Sequence, residues 1–73
     1  MKQRLSALIT KEDDGYVSLC PDLDIASQGD TIEEARLNLQ AALELFFEAA
    51  SEEEIRRRLT SEVYVTQVEV AVG

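Results

Sequence analysis

Hydrophobic and polar positions alternate with a period of two along the first third of the chain. This pattern predicts half-buried strands over residues 2–11, 16–20 and 25–28. The Asp14–Gly15 step between the first two strands favours a hairpin turn, because glycine tolerates the positive φ that such turns require. Pro21 ends the second predicted strand, since proline has no N–H to donate to a strand ladder.

After the third strand the apolar residues recur with a helical period. Thr31 with Glu34 three residues later has the spacing of a capping box, which predicts a helix over residues 32–50. Ser51 and the three glutamates after it repeat the capping signal, and a short second helix is expected to end at Thr60–Ser61. The apolar positions that share one face of the first helix are Ala35, Leu39, Ala42, Leu43 and Phe46.

Side chains alternate again between two faces over residues 62–72, and this pattern predicts a fourth strand. The resulting order is β-β-β-α-(α)-β, which indicates the α+β class with one sheet and the main helix on one face. With 73 residues the chain has room for one domain, expected to span residues 1–73. One face of the last strand would carry Tyr64, Thr66, Val68, Val70 and Val72.

The composition of the chain says more about its class of function than about its fold. The chain has 7 basic and 15 acidic residues and a formal net charge of −8, so it is expected to repel phosphate backbones and not to bind nucleic acid directly. It has no histidine, which removes the commonest general base and zinc ligand. The single cysteine excludes an internal disulfide, and no apolar run approaches the length of a membrane span. We therefore expect a cytoplasmic binding module, not an enzyme, without metal or cofactor and without membrane attachment.

Four short motifs stand in order over the middle of the chain, and together they resemble the HicB antitoxin family in its short, single-domain form. The resemblance covers about residues 3–48. It implies a partial ribonuclease-H-like fold with a four-stranded mixed sheet of order 3-2-1-4, the last strand parallel to the first. The motifs are Asp14-Gly15-Tyr16, Pro21-Asp22-Leu23, Gln28-Gly29-Asp30-Thr31 and Glu33-Glu34-Ala35.

The resemblance also implies a partner, a small basic HicA-like toxin that has a double-stranded-RNA-binding fold and cleaves messenger RNA. The antitoxin would neutralise it by direct binding. Two departures from the family are visible. Asp24-Ile25-Ala26 replaces a Pro-Gly-Cys-type turn, and residue 73 directly follows the fourth predicted strand, where longer relatives continue into a DNA-binding domain. The expectation is therefore toxin neutralisation without DNA binding.

Two sets of residues are candidates for contacts. Acidic side chains around the third strand and the helix start, with one tyrosine, are the expected toxin-binding residues: Tyr16, Asp22, Asp24, Asp30 and Glu33. Capping and turn chemistry also explain several of these acids. Apolar positions off the main helical stripe and at the start of the last strand predict a homo-oligomer contact: Leu37, Ala41, Phe47, Val63 and Val65.

Other interpretations of the chain remain open. The main alternative is a solitary homo-oligomeric adaptor that has no toxin partner. A less favoured one is a metal-dependent nuclease in which Asp22, Asp24 and Asp30 hold two Mg²⁺ ions. Cys20 is expected to be a small buried apolar residue, because no neighbouring base favours its thiolate. The arginines at 56–58 are expected to pair with the glutamates one turn earlier, as Glu52 with Arg56.

Overall fold

The computed structural model describes residues 4–59 and 62–73. Within these residues three strands are followed by two helices, and neither helix is long and apolar enough to cross a membrane. The predicted α+β class is confirmed. The elements are β1 (Leu8–Glu12), β2 (Gly15–Cys20), β3 (Ile25–Gly29), α1 (Ile32–Ala49) and α2 (Glu52–Leu59).

The strands form one antiparallel sheet in the order β1-β2-β3. Leu8 of β1 lies opposite Leu19, and Cys20 lies opposite Ile25 of β3. Ser18 and Cys20, which share one face of β2, are fully buried. This face of β2 lies beneath α1. The Ser18 hydroxyl donates a 2.8 Å hydrogen bond to the carbonyl oxygen of Ala35 in that helix. The opposite face of the sheet has no helix packed against it among the described residues.

The predicted four-stranded mixed sheet of order 3-2-1-4 is wrong, and the ribonuclease-H-like arrangement it belonged to is not formed. The part of the chain that the structure describes contains three strands, all antiparallel, and residues 62–73 pair with none of them. Val68, Val70 and Val72 are 85%, 72% and 90% exposed. Alternation shows which side chains would share a face, but a strand forms only where a neighbouring backbone supplies hydrogen bonds.

The boundaries of the other elements differ from the predicted ones by smaller amounts. The predicted first strand began at residue 2, but β1 begins at Leu8. Residues 2–3 lie outside the described residues. α1 ends at Ala49, because Ala50 has φ −77° and ψ 149°, which are extended values. The predicted end of the second helix at Thr60–Ser61 also falls outside the described residues.

The first hairpin turn uses a different residue from the one expected. Asp13, not Gly15, has the positive φ, at 52°. Gly15 instead lies in β2 and pairs with Glu12. Aspartate tolerates the left-handed region because its short side chain hydrogen-bonds locally, so the two-residue loop Asp13–Asp14 closes without glycine.

Both helices begin as their capping signals predicted. The Thr31 hydroxyl oxygen accepts the N–H of Glu34 at 3.0 Å, and the Glu34 carboxylate accepts the N–H of Asp30 at 3.2 Å. The first bond confirms Thr31 as the N-cap, whereas the Glu34 carboxylate reaches back to the residue before the cap and not to the N–H of Thr31, as a standard capping box would. At α2 the Ser51 hydroxyl accepts the N–H of Glu54 at 3.1 Å. The two caps therefore fix where each helix starts.

The core is small and lies between β2 and the two helices. Leu23 and Leu39 are each 2% exposed, and Cys20 and Ala35 are completely buried. Arg58 connects α2 to this core, because its guanidinium donates to the Leu23 carbonyl at 2.8 Å, stacks 5.2 Å from the Phe46 ring and pairs with Glu54 at 3.8 Å. Half-buried apolar residues complete the core: Leu5, Ile25, Leu43, Phe46, Phe47 and Leu59.

Replacing Ser18 with alanine is expected to lower the free energy of unfolding by about 1 kcal/mol, because the buried hydrogen bond between α1 and β2 is lost. The Ala35 carbonyl keeps its helical partner, so no buried acceptor is left without a bond. Urea denaturation measures the change. Ser27→Ala is the matched control, since Ser27 lies opposite Ser18 on the same sheet face but is only half-buried. An equal loss in both variants would contradict a specific role for the Ser18 bond.

Candidate binding cleft

The turn between β1 and β2 and the loop between β3 and α1 lie side by side at one end of the sheet. The register places them there, because Tyr16 pairs with Gly29. The space between them is an open cleft bordered by Tyr16, Asn38 and five carboxylates. We call it the acidic cleft; its carboxylates are Glu12, Asp13, Asp14, Asp30 and Glu34.

Two glycines allow the walls of the acidic cleft to approach each other. A Cβ on Gly29 would lie 2.5 Å from the backbone nitrogen of Ala35, and a Cβ on Gly15 would lie 2.9 Å from the carbonyl oxygen of Gly29. Neither glycine has a positive φ, so close backbone approach is what requires them. The glycines bring the hairpin turn, the end of β3 and the start of α1 into contact.

The side chains of the acidic cleft differ in how firmly they are held. Glu34 is fixed by its capping bond to Asp30. Asn38 donates a 2.7 Å hydrogen bond from its amide nitrogen to the carbonyl of Gln28, which ties α1 to the edge of β3. Asp13 and Asp14 are exposed in the turn. The described residues that line the cleft include no lysine or arginine, so its field is negative.

The structure brings two of the five predicted toxin-binding residues, Tyr16 and Asp30, into the acidic cleft. Glu33 is on the exposed first turn of α1 and pairs with Arg36, whose Nε lies 3.2 Å from the Glu33 carboxylate. This hydrogen bond and the charge of Arg36 lower the pKa of Glu33. The pairing offsets the negative charge of Glu33, so the cleft derives its field from the other carboxylates.

Asp22 and Asp24 lie at the other end of the sheet, between β2 and β3. Five strand residues separate the two ends, a distance of roughly 17 Å at the usual rise per residue. Asp22 has a structural role, since its carboxylate accepts the N–H of Ser6 at 3.1 Å. Asp24 has a φ of 56° and forms the tight turn. The structure therefore does not unite these aspartates with Asp30, and no group of metal-ligating side chains occurs within residues 4–59 and 62–73.

The predicted oligomer-contact residues lie on α1 and within residues 62–73. Leu37 is 49% exposed and Val65 is 53% exposed. Ala41 is exposed and Val63 is half-buried. Phe47 packs edge-to-face on Phe46, with ring centroids 5.4 Å apart. Their role in a contact between copies stays a prediction.

Five polar members of the acidic cleft were not among the predicted site residues: Glu12, Asp13, Asp14, Glu34 and Asn38. The run of three acids was visible in the sequence but was explained by turn chemistry. Its proximity to Asp30 depends on strand register, which the sequence pattern does not specify well for a short hairpin. Asn38 has no signal in the sequence, because only the packing of α1 on β3 places it at the cleft.

Cys20 is confirmed as a buried residue and is fully inaccessible. Burial raises the pKa of its thiol, a backbone hydrogen bond from Leu23 opposes the rise, and the nearby charge of Asp22 adds to it. The reactive thiolate is therefore scarcer than in a free cysteine at the same pH. We expect a disulfide reagent to modify the native protein far more slowly than the urea-unfolded protein. Equal rates in the two states would contradict this assignment.

The three-stranded sheet, the two capped helices and the acidic cleft define a small acidic α+β protein. The chain is 45% identical over 64 residues to the UPF0150 protein ssl0738 of Synechocystis sp., and the alignment covers 85% of this chain and 88% of that protein. The chain therefore belongs to the UPF0150 family. No family model matches the chain, and no solved structure matches it.

Proposed function

We propose that this protein is a HicB-like antitoxin that binds a small basic, HicA-like, mRNA-cleaving toxin through the acidic cleft and blocks it. The observation that carries the proposal is the cleft itself, where five carboxylates surround Tyr16 and no basic side chain lines the walls. Membership of the UPF0150 family and the resemblance of the motifs to HicB antitoxins support it.

The mechanism is steric and electrostatic, and no covalent bond is made or broken. A ribonuclease that binds RNA carries a basic surface, which a protein of net charge −8 attracts from a distance. Asp14 and Asp30 occupy that surface in place of RNA phosphates. Tyr16 supplies an aromatic contact, a residue type enriched at the centres of protein interfaces. The toxin is silenced because its RNA-binding surface is covered.

The site of action follows from the substrate. A toxin that cleaves messenger RNA acts in the cytoplasm, and the antitoxin acts there with it. The acidic cleft requires neither metal nor cofactor for this role, because carboxylates bind lysine and arginine side chains directly. The protein is a binding partner in this proposal and not an enzyme.

Co-purification followed by a ribonuclease assay tests the proposal. The tagged chain is expressed in its native host and recovered at low salt, and any bound small basic protein is identified, released under denaturing conditions and refolded. We expect that protein to cleave RNA alone and to lose the activity when this chain is added back. A bound protein without ribonuclease activity, or one that this chain does not inhibit, would overturn the antitoxin assignment.

A second candidate function is supported by the exposed apolar tail of the chain. Val68 and Val72 are 85% and 90% exposed, which is typical of a surface that contacts another protein. This favours the solitary homo-oligomeric adaptor. Recovery of a pure homo-oligomer with no basic partner in the same experiment would support the adaptor and not the antitoxin.

A further inference from the structure

We draw no further inference here: the strongest candidate, the apolar groove beside α1 that Leu5, Leu43 and Leu59 line, carries no proposal, because nothing in the part of the chain that the structure describes shows what covers it.

Discussion

If the proposed toxin is the partner, reversing the charge of Asp14 and Asp30 together is expected to weaken its binding by about a hundredfold at low salt. The two side chains border the acidic cleft from opposite walls, so the variant Asp14→Lys, Asp30→Lys replaces attraction with repulsion on both sides of the partner. The affinity difference from the wild-type protein is expected to shrink as salt rises, because mobile ions screen exposed charges. Isothermal titration calorimetry over a salt series measures both effects.

The matched control is Glu48→Lys with Glu53→Lys. It changes the net charge by the same amount but places the new lysines on exposed positions of α1 and α2, outside the acidic cleft. We expect the control to lose affinity only a fewfold, through the weaker overall field. If control and cleft variants bind equally weakly, net charge alone determines the interaction and the cleft is not the contact surface.

Replacing Gly29 with alanine is expected to destabilise the fold by about 3 kcal/mol. The new Cβ would lie 2.5 Å from the nitrogen of Ala35 and 2.8 Å from the carbonyl carbon of Glu34, so the first turn of α1 must move away from β3. In a domain of this size each 1 kcal/mol lowers the melting temperature by about 4–8 °C, so a fall of about 12–24 °C is expected. Thermal unfolding followed by circular dichroism measures it.

Gly73→Ala is the control for this change, because no heavy atom lies within 4 Å of its added Cβ. It makes the same chemical substitution in open space and is expected to leave the melting temperature unchanged. A Gly29→Ala protein as stable as the Gly73→Ala protein would mean that α1 and β3 are not in the close contact described.

Local signals in the sequence predicted much of the fold. Thr31 and Glu34 predicted the start of α1, and Ser51 predicted the start of α2, because a cap depends on residues within one turn of each other. The strands β2 and β3 and the burial of Cys20 were also predicted correctly, whereas the prediction for β1 began six residues too early. Each of these features depends on side-chain chemistry and spacing over a few positions.

Features that depend on distant parts of the chain were not predictable in the same way. The alternation of residues 62–72 has the pattern of a strand, yet the segment has no partner in one copy. The acidic cleft joins Asp14 to Asp30 through the register of β2 with β3, whereas Asp22, close to Asp30 in sequence, lies at the far end of the sheet. Proximity in sequence was thus a poor guide to which carboxylates lie together in the fold.

The contacts of Arg58 affect how easily helix α2 unfolds locally. Helix α2 has no buried residue of its own, and Arg58 connects it to Leu23, 35 positions earlier in the chain, and to the Phe46 ring. An element attached by so few contacts unfolds locally at a lower free energy than the sheet beneath it. Release of Arg58 would free the Leu23 carbonyl and move Ile55 and Leu59 away from the apolar groove that they line with Leu43. We therefore expect α2 to detach before the sheet unfolds, while the hairpin and the acidic cleft stay folded.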